Sequence, residues 1–114
     1  MFKVEAIVRE DMLENVKEAL NEIEVHGITV SQVMGCGVQK GYVDHVRGTK
    51  VDFNMLPKIK FEIVVSTEAW ADKTVDVISR TAQTGNHGDG KSFVYELKDA
   101  VRIRTGQHGP EAIY

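Results

Sequence analysis

Apolar and polar residues alternate along Phe2–Arg9. Val4, Ala6 and Val8 fall on one side, with Lys3, Glu5 and Ile7 on the other, which is the period of a strand. Asp11 is expected to open a helix, and Glu14 three positions on completes the spacing of a capping box. Leu13, Val16, Leu20 and Ile23 then recur at helical spacing, with Lys17, Glu18, Asn21 and Glu22 opposite them. Gly27 closes this unit, and Ile28–Met34 predicts a second strand. Residues 35–57 break the pattern, with Gly35, Gly37 and Gly41 near the start, mixed charge and no clean period. A structureless loop of that length in a small chain is usually functional.

Periodicity resumes at Lys58–Val65, a third strand rich in β-branched residues. Ser66 or Thr67 can cap a second helix with Trp70, Thr74, Val77, Ile78 and Thr81 as its stripe, ending at Gly85. Trp70 and Phe93 are read as core. Ser92–Leu97 is a fourth strand, Val101–Arg104 one more short extended piece, and the tail from Gly106 loosely ordered. Lys3–Val8 is echoed by Lys60–Val65, each followed by a capped helix and a strand. Two such halves predict an α+β, ferredoxin-like βαββαβ sandwich, one sheet with two helices on one face. The strands carry apolar residues on both faces, so self-association is expected to cover the other face.

Composition narrows the function. With 114 residues the chain suits one domain, and 42% hydrophobic with 27% charged residues is the balance of a soluble globular protein. A net charge of −3 argues against a general nucleic-acid binder. The single Cys36 excludes an intramolecular disulfide framework, and His26, His45, His87 and His108 show no metal-ligand spacing. Without a membrane-length apolar run or a signal-peptide pattern in residues 1–25, the expected compartment is the cytoplasm, without membrane insertion. No hydrolase or metalloprotease signature is present, so no catalytic residue is nominated.

Thr84–Ser92 holds the sharpest local motif, Gly85-x-x-x-x-Gly90-Lys91-Ser92. It matches the P-loop pattern but lies after a helix and before a strand, the reverse of a P-loop's setting. Its glycines still allow amides to converge on an anion, with Lys91 adding charge, and they serve equally as a turn. Arg102 and Arg104 flank Ile103; on an extended segment they would form a fork for phosphate oxygens. Taken with Lys91 shortly upstream, they favour a polyphosphate site. Gly35-Cys36-Gly37-Val38-Gln39-Lys40-Gly41 is either a ligand-contacting stretch or a flexible loop base.

The whole chain resembles the PII signal-transduction proteins, the GlnB/GlnK-type nitrogen regulators. The resemblance rests on Val16–Leu20, Gly27–Val30, Gly35-x-Gly37-x-Gln39-Lys40-Gly41, Arg47-Gly48, Leu56-Pro57-Lys58, Glu62–Val65, Arg80–Gly85, Gly88–Lys91 and Arg102–Gly106. It implies a homotrimer with nucleotide clefts between subunits, binding ATP and ADP competitively. Gly88, Asp89, Gly90, Lys91, Arg102 and Arg104 would hold phosphates, with Gly35, Gly37, Val38, Gln39 and Thr84 nearby, and Thr29 and Val64 at the adenine. 2-Oxoglutarate with Mg-ATP is implied at Arg9, Gln39, Lys40, Gly41 and Lys58, Gln39 being the one residue near Mg²⁺. The T-loop, within residues 35–57, would engage a membrane transporter (an ammonium channel or another) or a metabolic enzyme. Its candidate contacts are Tyr42, Asp44, His45, Arg47, Lys50, Val51 and Phe53. Residues 85–91 are then the phosphate loop and 105–114 the C-terminal tail.

Three departures qualify that picture. Val38 stands where the family has an arginine, and Val51 where some members carry a loop-tip tyrosine that is uridylylated. Tyr42, Val43, His45 and Val46 replace a more polar run. The implied function is a non-enzymatic energy and carbon/nitrogen sensor, controlled by ligands alone. The alternatives are a paralogue sensing only adenine nucleotides for a different transporter, and a weak ATPase.

Overall fold

The computed structural model describes residues 1–38 and 53–114. β1 (Phe2–Arg9) leads through a 3-10 turn (Glu10–Met12) into α1 (Leu13–Glu22). β2 (Ile28–Val38), β3 (Phe53–Val65), α2 (Glu68–Ala82) and β4 (Gly90–Glu96) follow, and Gly109–Ile113 is a final 3-10 segment. The strands form one antiparallel sheet in the order β2-β3-β1-β4, the ferredoxin-like arrangement. The two echoing segments are its central pair, with Lys3 opposite Val64 and Val8 opposite Ile59.

Strand alternation decides which face the helices cover. Val4, Ala6, Val8, Ile59, Phe61, Ile63 and Val65 are buried on one side of the sheet, against Val16 and Leu20 of α1 and Ala71, Ile78 and Ala82 of α2. Thr74 is the one buried polar residue among those described, and its hydroxyl donates to the Trp70 carbonyl at 2.8 Å. Thr67 is the cap of α2, its hydroxyl accepting from the Trp70 amide at 3.1 Å.

Several expectations are corrected. Asp11 and Glu14 form no capping box: the chain takes a 3-10 turn first, and α1 starts at Leu13 without a side-chain cap. Glu24, not Gly27, is the left-handed residue after α1 (φ 65°). The expectation of a loop over 35–57 is corrected at both ends, where the β2–β3 ladder continues to Val38 opposite Phe53. Backbone pairing tolerates the glycines there. α2 ends at Ala82 rather than Gly85, and β4 begins at Gly90 rather than Ser92. Trp70 and Phe93 are exposed, since Ala71 rather than Trp70 faces the core and Phe93 lies on the uncovered sheet face. Val101 makes only an isolated bridge with His108, and the tail folds back instead of hanging loose.

The uncovered face carries apolar residues as expected, Ile7 and Val64 among them, mixed with charged ones. Phe93 and Tyr95 share it with Lys3, Glu5, Lys60 and Glu62. Lys3 pairs with Glu62 at 3.3 Å and Glu5 at 3.7 Å, and sits over the Tyr95 ring. The hydrogen bond to Glu62 holds the Lys3 ammonium above its ordinary pKa. Among the described residues, no helix is long and apolar enough to cross a membrane.

Phe61 is fully buried at the centre of this sandwich. Phe61→Ala is expected to cost about 3–5 kcal/mol, the range for a buried aromatic truncated to alanine; urea unfolding followed by circular dichroism measures it.

Candidate functional site

The glycine loop between α2 and β4 is held by the sheet end it crosses. Gly90 has φ 104°, and a Cβ there would lie 1.8 Å from the Ile7 carbonyl oxygen. Only glycine lets β4 join β1 at that point. Gly88, at φ 96°, sits against the Arg9 guanidinium and the Lys58 ammonium.

The loop's own carboxylate organises it. Asp89 accepts from the Thr84 amide at 2.7 Å, the Gly85 amide at 2.9 Å and the Thr84 hydroxyl at 2.5 Å. Arg9 Nε donates to the same carboxylate at 3.0 Å, and its Nη2 to the His87 carbonyl at 2.5 Å. Lys58 Nζ donates to the Gly88 carbonyl at 2.9 Å. The bonds from Thr84, followed by those from Arg9 and Gly85, hold the Asp89 carboxyl far below its ordinary pKa. The converging amides expected to meet a phosphate thus meet an internal anion at Thr84 and Gly85. Asp89, Gly90 and Lys91 line an adjoining cavity of about 290 Å³ beside Ser79 and Ala82 of α2.

Gly35 lies against the Lys58 side chain, and Gly37 and Val38 continue β2 opposite Asn54 and Phe53. Arg9, Lys58, Gly35 and the glycine loop therefore share the end of the sheet where β1 finishes. Cys36 is exposed. Gln39, Lys40, Gly41, Tyr42, Asp44, His45, Arg47, Lys50 and Val51 lie outside the described residues, as do the side chains of Val38 and Phe53.

The remaining candidates are elsewhere. Lys91 pairs with Ile7, whereas Val64 pairs with Lys3, roughly 13 Å back along β1 at 3.3 Å per residue. Thr29 is exposed on edge strand β2, opposite Glu62. Arg102 follows β4's exit at the Val64 end, where the Leu97 amide bonds the Met1 carbonyl. Arg102 and Arg104 do not form the expected fork on an extended segment: the chain turns at residues 103–105, and Ile103 is 99% exposed. Instead Arg102 bonds Gln107 at 2.9 Å, the Glu111 carbonyl at 2.9 Å and the Tyr114 carbonyl. Nearness in sequence did not bring Lys91 and Arg102 together, because β4 carries the chain the length of the sheet between them. Gln107 and Asp99, which hold the tail, were missed; their partners are set by the fold-back and have no local pattern. Among the described residues, no three His, Cys, Asp or Glu side chains cluster as metal ligands.

Comparison with known proteins identifies what this arrangement is similar to. The family described as "Nitrogen regulatory protein P-II" matches residues 1–107. The nitrogen regulatory protein P-II of Rhodospirillum rubrum is 46% identical over 113 residues, covering 99% of this chain and 100% of its own. P-II 1 of Methanothermobacter thermautotrophicus is 49% identical, covering 99% and 97%. Among solved structures, B. subtilis GlnK matches with TM-score 0.81 and 42% identity over 97% of this chain and 96% of its own. The B. subtilis GlnK-ATP complex matches with TM-score 0.79 and 40% identity, covering 97% and 95%.

The Asp89 network gives a pH expectation. A carboxyl with a depressed folded pKa stabilises above its ordinary value, 3.8 here, and loses that contribution only as pH falls through the lower folded value. Loop ordering, followed by NMR shifts of the Thr84 and Gly85 amides, should persist at pH 4 and fail only in stronger acid. In Asp89→Asn those shifts should be displaced already at neutral pH.

Proposed function

The chain belongs to the P-II family of nitrogen regulatory proteins, and from that premise we propose that it binds ATP or ADP in clefts between the subunits of a homotrimer. Like its family it is a non-enzymatic signal transducer. The occupant of the cleft biases the T-loop, which reports to a cytoplasmic face of a transporter or to a metabolic enzyme. The mechanism requires the loop states to differ in affinity for the ligands.

One observation carries this reading: the two halves of the candidate site stand at opposite ends of one sheet. The glycine loop, Lys91 and Gly35 occupy the end where β1 finishes, and Val64 and Arg102 the end where it begins. A paired sheet cannot fold its ends together. Two copies can set one end of each side by side, completing a cleft with Val64 and Arg102 from one copy and the glycine loop and Lys91 from the other. Phe93 and Tyr95 on the uncovered face supply apolar area for association, and the Lys3/Glu5/Lys60/Glu62 set fixes its register. The GlnK relative solved as an ATP complex supports adenine nucleotide as the ligand.

Val38 favours the second reading, a sensor of adenine nucleotides alone. Without a guanidinium there, ATP loses more than ADP. 2-Oxoglutarate faces a further obstacle, because Lys58 and Arg9 already donate to the glycine loop. Binding of 2-oxoglutarate is therefore weak or absent.

Sedimentation equilibrium should give a trimer of the 12.7 kDa chain; a monomer overturns the shared cleft. By calorimetry, Lys91→Ala and Arg102→Ala should each weaken ATP binding at least about tenfold, since a charge-assisted hydrogen bond is worth about 1.5–3 kcal/mol. Trimers reassembled from a mixture of the two variants should recover a minority of sites with full affinity. Such sites pair an intact Lys91 of one copy with an intact Arg102 of another.

Val38→Arg is expected to raise the preference for ATP over ADP. Micromolar 2-oxoglutarate affinity of the unaltered chain in Mg-ATP would discard the adenine-only reading.

A further inference from the structure

The C-terminal segment occupies both features that this chain offers at the Val64 end of its sheet. Arg102 Nη1 donates to the Gln107 side-chain carbonyl, and Nη2 donates to the Glu111 and Tyr114 carbonyls. Ile113 and Tyr114 also form one wall of a cavity of about 570 Å³ whose other walls include Gly27, Val64 and Trp70. The segment is anchored behind these contacts. Asp99 pairs with His108 at 2.7 Å and accepts from the Gly109 amide at 3.2 Å, and the Gly109 amide also reaches the Ala100 carbonyl at 3.0 Å.

We propose that residues 107–114 are an autoinhibitory lid on the nucleotide cleft, holding Arg102 and covering the approach to Val64 until a nucleotide phosphate takes the arginine. This rests on the reading that Arg102 and Val64 serve the nucleotide.

The exchange has a definite chemical direction. The lid offers Arg102 two neutral acceptors, on Gln107 and Glu111, and one oxygen of Tyr114, whereas a polyphosphate offers a guanidinium several anionic oxygens at once. The nucleotide therefore displaces the lid, but part of its binding energy goes into doing so. The measured dissociation constant is the intrinsic one divided by the fraction of chains with the lid released. A triphosphate, carrying more charge than a diphosphate, is the better displacer.

Trp70 is the only tryptophan in the chain and shares the cavity with Tyr114, so its emission reports lid position. The test compares the unaltered full-length chain with the full-length triple variant Gln107→Ala/Ile113→Ser/Tyr114→Ser. Asp99→Asn, which weakens the anchor without touching the cavity, is the second variant. Both should bind ATP at least about threefold more tightly, the gain from removing a competing closed state. Trp70 emission of the ligand-free triple variant should shift toward that of the ATP-bound unaltered chain. Equal or weaker ATP binding by both variants, with the unaltered chain binding normally, overturns the lid and leaves the nucleotide reading standing. Tighter binding with no change in Trp70 emission overturns the displacement mechanism. If no chain binds ATP, the nucleotide reading itself fails and the lid with it.

Discussion

The register between β1 and β3 governs the rest of the molecule. Phe2–Arg9 runs against Lys58–Val65 so that Val4, Ala6 and Val8 share a face with Ile59, Phe61, Ile63 and Val65. A slip of one residue would turn Lys60 and Glu62 toward the helices and strip the core of its β3 contribution. With that register set, α1 and α2 have one face on which to land. β4 pairs along the free edge of β1, and β2 along that of β3. The charged alternates go to the other face, where Lys3, Glu5, Lys60 and Glu62 neutralise one another.

The same central pair keeps the two ends of the molecule apart, and each end satisfies itself in the isolated chain. At the glycine loop, Asp89 supplies the anion that the Thr84 and Gly85 amides would otherwise seek, and Arg9 and Lys58 close over the loop carbonyls. At the other end, Arg102 is held by its own tail. Charged groups at a partly exposed site are seldom left without partners, and a ligand arrives as a competitor for them. Under the proposed function, binding at either end is an exchange of partners.

The geometry at Gly90 shows how little of this depends on many residues. Its backbone passes so close to the Ile7 carbonyl that no side chain fits. This contact sets where β4 begins and so where Lys91 stands. The motif's likeness to a P-loop is incidental in this light, because the glycines serve strand entry and loop turning more than a helix N-terminus.

The hydrophobic period by itself determined the four strands, the two helices and the ferredoxin-like order, since alternation at Val4, Ala6 and Val8 and the stripe at Val16 and Leu20 follow from burying one face. It also exposed the echo between Lys3–Val8 and Lys60–Val65, which became the central pair. Boundaries set by backbone pairing were beyond it: β2 runs through Gly35 and Gly37 because a ladder needs no side chains, and Asp11 lost its capping role to a 3-10 turn. The candidate residues were legible as types, but their grouping was not. Lys91 and Arg102 are close in sequence and lie at opposite ends of the sheet, whereas Arg9 and Asp89 are distant in sequence and form an ion pair at 3.0 Å. Periodicity reports which face a residue takes, and only the closed sheet decides which end of it a residue reaches and which residues it meets there.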